Sequence, residues 1–287
     1  MPDQPGRPRR PAEASPGRPR RTPDGSPGRQ PRGDRPTSAE RTDRTDRTER
    51  ADRLARDERR RARPLEPALP EGADPGLLDR EVSRELAGLT RPNAERVAAH
   101  VVAAGLLLEE DPAAAYEHAK FAKSLAGRVG MVREAVGLTA YRAGDYSSAL
   151  AELRAARRIS GDASHLPVMA DCERALGRPE RALDVAKDPA VATLDQAAQV
   201  ELAIVCSGAR RDLGQADAAV VSLQGRALSS PDVAVWTPRL WYAYADALLA
   251  AGRRDEALEW FASAAAVDED ELTDVAERLA ELSNESR

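Results

Sequence analysis

A glycine followed five residues later by an alanine recurs in the second half of this 287-residue chain, and it limits the possible folds more than any other feature. Each time, apolar residues at helical spacing lead up to the glycine, and an aliphatic residue follows the alanine. The four pairs are Gly144 and Ala149, Gly177 and Ala182, Gly214 and Ala219, and Gly252 and Ala257. Because glycine readily adopts the left-handed backbone that ends a helix, each pair predicts a turn between two helices.

An earlier, degenerate copy precedes these four. There, residues 110–112 (Glu-Asp-Pro) replace the glycine turn and Ala115 takes the alanine position. The five alanines are then separated by 34, 33, 37 and 38 residues. This period predicts repeated helical hairpins, and since one hairpin cannot bury both of its faces, the hairpins must stack.

A second position in each copy also holds a small residue, seven residues before each glycine. The residues there are Gly137, Ala170, Ser207 and Ala245, with Ala103 in the degenerate copy. Small residues at both positions let two helices approach closely, while larger apolar residues fill the space between them. Aromatic residues make up only 3% of the chain, which disfavours a β-sandwich or barrel core. The sequence therefore predicts an all-α fold.

This pattern resembles the tetratricopeptide repeat (TPR) family over roughly residues 96–269. The best-matching copy holds Trp241, Ala245, Gly252, Ala257, Phe261 and Ala264, and the next best holds Gly137, Gly144, Tyr146, Ala149, Leu153 and Ala156. The resemblance implies an α-hairpin repeat solenoid of about five helix pairs. The third and fourth copies match weakly, and their spacing predicts longer loops around 187–197 and 226–238.

Three further segments complete the predicted organisation. Residues 1–73 are rich in Arg and Pro and predict a disordered tail and linker, with a transient helix over 38–63, whereas residues 74–287 form the repeat domain. A short helix from Pro75 and a helix over 272–282 are expected to cap the array. The tail of 1–64 has a net charge of +8 and the remainder −13. Three interpretations of the tail stay open: a solvated segment, weak contact with nucleic-acid phosphates, or contact with the protein's own acidic domain.

The sequence shows little chemistry of the kind that enzymes need. Two cysteines, Cys172 and Cys206, exclude a disulfide framework and are expected in the core. His100, His118 and His165 fall in three helices without a third ligand, so we expect no metal site, no cofactor and no catalytic residue. No apolar run has the roughly 20 residues of a membrane span, and no secretory signal is visible, which predicts a cytoplasmic protein. Arginine supplies 40 of the 43 basic residues, and together with the alanine content this indicates an actinobacterial source.

The resemblance to TPR proteins implies a protein–protein interaction scaffold or adaptor that holds a partner in a concave groove lined by the first helix of each pair. In that register the candidate partner-binding residues are Glu134, Tyr141, Arg142, Asp171, Arg174, Arg211, Arg239, Tyr242 and Asp246. Leu138, Glu201 and Asp212 fall at groove positions of the same register. Arg and Tyr are common anchors in protein interfaces, which favours an extended peptide as the ligand. The alternative is an adaptor associated with RNA or another nucleic acid through the basic tail.

Overall fold

The structure is a computed structural model that describes residues 65–225, 227–230 and 232–284, and within these ranges it is helical throughout and contains no β-strand. The α-helices are α1 (Arg80–Glu85), α2 (Arg91–Leu107), α3 (Pro112–Ala126), α4 (Gly130–Arg142), α5 (Tyr146–Ser160), α6 (Leu166–Ala175), α7 (Pro179–Val185), α8 (Gln196–Asp212), α9 (Ala216–Leu223), α10 (Thr237–Ala250), α11 (Arg254–Ala265) and α12 (Val275–Asn284). Short 3₁₀ helices cover Pro75–Leu77, Leu86–Gly88 and Pro189–Thr193. The all-α prediction is confirmed for this part of the chain, whereas the predictions for residues 1–64, including the transient helix, lie outside it.

Each copy of the sequence pattern occupies one pair of consecutive helices, which we call a unit. The first unit is α2–α3, the second α4–α5, the third α6–α7, the fourth α8–α9 and the fifth α10–α11. We call the two members of a pair its first and second helix. From α2 to α12, consecutive helices pack on each other along the chain, and α8 also contacts α6 and α10 directly. The first helices of the third, fourth and fifth units therefore lie side by side.

The glycine turns adopt the predicted backbone. Gly144, Gly177, Gly214 and Gly252 have φ angles of +80°, +71°, +71° and +76°. In each case the second helix of the unit begins two residues later. A residue with a Cβ would be strained at such a φ angle, so these positions require glycine or a residue that tolerates the left-handed region.

The pattern alanines lie where two helices meet. Their exposed fraction is 0% at all five positions: Ala115, Ala149, Ala182, Ala219 and Ala257. The facing small residues are equally covered, with Ala170 at 0% and Ser207 at 1% exposed. At Gly137 a Cβ atom would lie 2.6 Å from both Cγ and Cδ2 of Leu153, so α4 and α5 could not pack as they do with a larger residue there. Close helix packing at the small positions is thus confirmed.

The weak third and fourth copies have a structural cause. Their second helices are short, with 7 residues in α7 and 8 in α9, against 15 in α5. After α7 the chain runs through the 3₁₀ helix Pro189–Thr193 before α8 begins. Pro189 occupies the position where stronger copies keep the alanine of a longer helix, and proline cannot continue one there. The longer loop predicted at this place is present.

Both ends of the array carry the expected short helices. At the C-terminal end, α12 packs against α11 and buries Val275 and Leu282. At the N-terminal end, α1 and two 3₁₀ helices precede α2. Glu66 lies in the predicted linker, yet its carboxylate accepts two hydrogen bonds from Arg96 on α2, so this part of the segment is attached to the first unit. No helix in the described ranges has both the length and the apolar composition needed to cross a bilayer.

Candidate functional site

A cleft of about 700 Å³ opens along the first helices of the second to fifth units. Below, "the cleft" means this space. The part contributed by α4 is polar, with Tyr141 and Arg142, and α10 contributes Arg239. The longest stretch of wall comes from α8, because that helix has 17 residues and lies between α6 and α10.

Six of the nine candidate partner-binding residues line the cleft, and three do not. The six are Tyr141, Arg142, Asp171, Arg174, Arg211 and Arg239. Glu134 and Asp246 lie next to it, because each forms an ion pair with a residue of the lining, His165 and Arg211 respectively. Tyr242 lies apart from it. Its ring makes an edge-on contact with Phe261 at a centroid distance of 5.3 Å.

Tyr242 misses the cleft because the capping helix covers the fifth unit. A hydrogen bond with Asp274, just before α12, and burial together raise the pKa of Tyr242, with burial the larger cause. The repeat register placed this side chain on the first-helix face, and it does lie there. Beside the last unit, however, that face is occupied by α12 instead of being open.

Hydrogen-bonded pairs join the first helices of successive units. The hydroxyl of Tyr141 on α4 donates to Asp171 on α6 over 2.6 Å. Arg174 on α6 donates through Nε to Asp212 on α8 over 2.7 Å. Arg211 then donates to Asp246 on α10 over 2.8 Å. We call this series the ion-pair ladder, and the charged members of these three pairs are 19–40% exposed.

Two more pairs belong to the ladder. The carboxylate of Glu201 on α8 lies 2.9 Å from the guanidinium of Arg239 on α10. Near the other end of the cleft, Nε2 of His165 lies 3.0 Å from Glu134. Ion pairs at this exposure each contribute roughly 1 kcal/mol or less to stability. Their main effect is to hold long side chains in one orientation across the helix–helix boundaries.

Gly208 on α8 leaves space for the side chain of Arg174 in the ladder. A Cβ atom at this position would lie 2.9 Å from both Cζ and Nε of Arg174. The guanidinium therefore lies against the bare backbone of α8 on its way to Asp212. This glycine lies inside a helix, and sequence periodicity gave no reason to expect it in the site.

The charged groups of the cleft are not evenly solvated. Burial raises the pKa of Glu201; the charge of Arg239 opposes that shift, and the charge of Asp171 adds to it. Burial also raises the pKa of Tyr141. A hydrogen bond with Glu134 raises the pKa of His165. Asp171 and Glu201 both line the cleft, from α6 and α8 respectively.

The cleft also has apolar side chains that the repeat register did not identify. Val168 on α6 and Ile204 and Val205 on α8 line it and remain partly exposed. Each packs with its inner side on the hydrophobic core. Their position follows from the path of α8 across α6, which is a long-range feature that no local pattern in the sequence encodes.

A second polar cluster lies away from the cleft, in the first unit. His100 on α2 and His118 on α3 meet with their Nδ1 atoms 2.8 Å apart, and Nε2 of His100 lies 3.3 Å from Glu66. Both rings are buried, and burial lowers both pKa values. A hydrogen bond between two Nδ1 atoms needs one donor and one acceptor, so at least one of the rings must be neutral.

The remaining candidate groups are the two cysteines and the side chains that could hold a metal ion. Cys172 and Cys206 are buried and unpaired, as expected for small core residues, and burial raises the pKa of the Cys172 thiol to about 12. A thiol with such a pKa is not a nucleophile at neutral pH. Within residues 65–225, 227–230 and 232–284, no group of three or more His, Cys, Asp or Glu side chains is placed to hold a metal ion.

No protein-family model matches the sequence, and no curated protein sequence matches it. The geometry of the cleft therefore carries the functional argument.

Proposed function

We propose that the described units form a TPR-like repeat solenoid that serves as a protein-interaction scaffold, with the cleft as the binding site for a segment of a partner protein. The observation that carries this proposal is the alignment of the first helices. Four successive units each contribute a first helix to one cleft, and it is lined by seven of the residues that the repeat register marks as groove positions, namely the six candidates above and Glu201. The proposal assigns no catalytic step to the site.

The dimensions and lining of the cleft suit a peptide side-chain cluster. Its volume of about 700 Å³ is in the range of specific binding pockets. Its lining combines an apolar strip of Val168, Ile204 and Val205 with Tyr and Arg, the residue types that contribute most to protein interfaces. An extended peptide would place aliphatic side chains on the strip and polar groups against the ladder.

The ion-pair ladder favours binding because it orders the side chains of the cleft before a partner binds. A free arginine loses about 0.5–1.5 kcal/mol of rotamer entropy when an interface immobilises it. Arg174 and Arg211 are already held by Asp212 and Asp246 in the unbound protein. A partner that binds in the cleft therefore meets side chains whose ordering cost has largely been met during folding.

A bulky substitution at Ala197 tests this proposal. Ala197 is exposed and lines the cleft, so Ala197→Trp should fill part of the space without disturbing the core. The tagged full chain is used as bait in an extract of the source organism, and captured proteins are quantified by mass spectrometry. We expect at least one partner to be depleted more than tenfold on the Ala197→Trp bait.

The matched control is Ala151→Trp. Ala151 is also an exposed helical alanine, but it lies on the second helix of the second unit and is not part of the cleft. Captured proteins should be unchanged on this bait, and both variants should melt as the wild type does. Equal capture by all three baits would contradict binding in the cleft.

A further inference from the structure

The chemistry of the cleft selects one kind of partner segment. We infer that the cleft binds a peptide segment of a separate protein that presents one lysine or arginine side chain between aliphatic residues, and that Asp171 and Glu201 receive the cationic group. This inference rests on the proposed function and goes beyond it, because it states the chemistry of the bound segment.

Two arginines of the cleft, Arg174 and Arg211, are already matched by acids that lie outside its lining. Arg174 donates to Asp212 over 2.7 Å, and Arg211 donates to Asp246 over 2.8 Å. Neither of these two acids lines the cleft. An acidic ligand would have to compete with both carboxylates for guanidinium groups that already have a partner.

Of the acids Asp171 and Glu201, Glu201 is paired with Arg239 over 2.9 Å, whereas Asp171 has no cation of the described residues within hydrogen-bond distance. Asp171 accepts a hydrogen bond from the neutral hydroxyl of Tyr141 and lies 3.6 Å from Nη1 of Arg174, which is beyond hydrogen-bond distance. Glu201 has the charge of Arg239 beside it, yet its pKa remains raised. An added cation beside these carboxylates would offset the two causes that raise the pKa of Glu201, its burial and the charge of Asp171.

Long-range charge acts in the same direction. From residue 65 to the end, the chain has 37 acidic and 24 basic residues, a net charge of −13. A surface of this sign attracts cationic segments and accelerates their association, more strongly at low ionic strength. The local preference at Asp171 and Glu201 and the field of the whole domain therefore favour the same ligand charge.

Apolar contacts on both sides of the cation follow from the position of the carboxylates. Asp171 and Val168 are one turn apart on α6, and Glu201 and Ile204 are one turn apart on α8. A side chain that enters between the carboxylates brings its neighbours onto Val168, Ile204 and Val205. A bound cationic side chain without aliphatic neighbours would leave this apolar strip exposed to water.

Selection from a random peptide library tests the inference on the full chain. A display library of capped nonapeptides is panned separately on wild type, Ala197→Trp, Glu201→Gln and Glu256→Gln. Glu256 is the matched control, because it is an exposed glutamate on α11, paired with Arg253, and lies outside the cleft. We expect wild type and Glu256→Gln to enrich peptides with one Lys or Arg among aliphatic residues, and Glu201→Gln to lose this preference.

An enriched peptide then gives a quantitative readout. Three versions are synthesised with arginine, the neutral isostere citrulline, or glutamate at the selected position, and fluorescence anisotropy gives their affinities. The citrulline version should bind about tenfold more weakly to wild type, which corresponds to the loss of one charge-assisted contact. On Glu201→Gln the arginine and citrulline versions should differ by less than threefold.

The outcomes separate the inference from the proposed function. Peptides that depend on Ala197 but show no basic preference, or that bind Glu201→Gln as tightly as wild type, would overturn the cationic ligand and leave cleft binding in place. Absence of any Ala197-dependent peptide would count against both. Self-association of wild type that is abolished by Ala197→Trp would assign the cleft to a second copy of the chain and overturn the inference.

Discussion

The second and third units carry the same glycine–alanine pattern on helices of different length. In the second unit α4 has 13 residues and α5 has 15, whereas in the third α6 has 10 and α7 only 7. Both units nevertheless bury the pattern alanine completely, with Ala149 and Ala182 at 0% exposed. The turn and the first residues after it therefore suffice to set the close packing, and the rest of the second helix is free to vary.

This difference divides the array into two faces. The first helices of the second to fifth units have 10–17 residues and line the cleft, while their second helices have 7–15. Where a second helix is short, irregular chain such as the segment after α7 takes its place. The cleft needs continuous first helices to carry its ladder from unit to unit, whereas the opposite face tolerates interruption.

Enlarging the pattern alanine should separate the two units most clearly. Ala149→Leu forces extra volume between α4 and α5, which are long and held on both sides, and we expect a loss of about 3 kcal/mol in the free energy of unfolding. Ala182→Leu enlarges a short helix next to irregular chain that can shift, so a loss of about 1 kcal/mol is expected. Urea denaturation followed by circular dichroism measures both values.

The control for this comparison is Ala151→Leu, at an exposed position of α5. It should change stability by less than about 0.5 kcal/mol, since surface substitutions of this kind are usually within that range. If Ala149→Leu were as stable as this control, the repeat register assigned to the second unit would be wrong.

Two helical glycines offer the next largest contrast. At Gly137 an added methyl group meets the branched end of Leu153, which is 1% exposed and cannot move away, so Gly137→Ala should cost about 1 kcal/mol even after the gain in helix propensity. At Gly208 the same methyl group meets the flexible end of Arg174. Gly208→Ala should leave the free energy of unfolding unchanged or raise it slightly while displacing that guanidinium.

Peptide affinity completes the test of these two variants. We expect Gly208→Ala to lower the affinity for the cleft ligand several-fold without loss of stability. Gly137→Ala should leave the affinity of the folded protein unchanged. Thermal unfolding and anisotropy measured on the same preparations check both effects. A reversed result, with binding lost only at Gly137, would show that the cleft does not depend on the position of Arg174.

Local patterns explain why so much of the array could be predicted. A positive φ angle at Gly144 or Gly252 depends on a single residue, and the burial of Ala149 depends on a spacing of five residues. The relation between one unit and the next depends on side chains about 30 residues apart, such as Tyr141 and Asp171. Repetition of the pattern made those pairs predictable in register, which is why six candidate positions share one cleft.

What the sequence could not provide was the environment of each position. Tyr242 has the correct register, but α12 covers the fifth unit and turns its side chain into part of a packed contact. His165 and Val168 line the cleft because of how the chain enters α6, after Gly161 with a φ angle of +76°. The capping helix was predicted, but the repeat register does not say which side chains of the fifth unit it covers, and the extra turn before α6 lies outside the repeat.

Acidification should act on the first unit and the cleft with opposite sign. Burial lowers the pKa of His100 and His118 below the ordinary value of about 6.5, so the stability they contribute is present above that pH and is lost as the pH falls. Glu66 opposes this shift for His100, and Arg96 reinforces it. Glu134 raises the pKa of His165, so that contribution is present below pH 6.5 and is lost as the pH rises through the folded pKa.

Urea denaturation at pH 7.5 and pH 5.0 measures the balance. Wild type should be less stable at pH 5.0 than at pH 7.5, and this loss should be smaller than the loss that Ala149→Leu causes at a single pH. On acidification His165→Gln should lose more stability than wild type, because the opposing contribution of His165 is gone. His118→Gln should lose less. Identical pH dependence in all three proteins would contradict the assignment of these shifts to the buried pair and the cleft.

The smallest expected effect is a difference between two ion pairs, one in the cleft and one on the opposite face. Arg157 on α5 donates two hydrogen bonds to Asp188, at 2.8 and 3.0 Å, and this pair lies away from the cleft. Arg211 donates one bond to Asp246 on the ladder. Double-mutant cycles to alanine should give coupling energies of about 1 kcal/mol for the bidentate pair and about 0.5 kcal/mol for the ladder pair, since both are partly exposed.

Binding should rank the same two pairs in the opposite order. Arg211→Ala removes part of the cleft lining and one of the cations beside Asp246, so affinity for a selected peptide should change several-fold although stability barely does. Arg157→Ala should cost more stability and leave affinity unchanged, because its partner lies in the chain between α7 and α8 and contributes nothing to the lining. If both variants changed affinity equally, the ladder pair would contribute no more to peptide binding than an ion pair outside the cleft. The distinction between a face that binds the ligand and an opposite face that tolerates interruption would then be wrong.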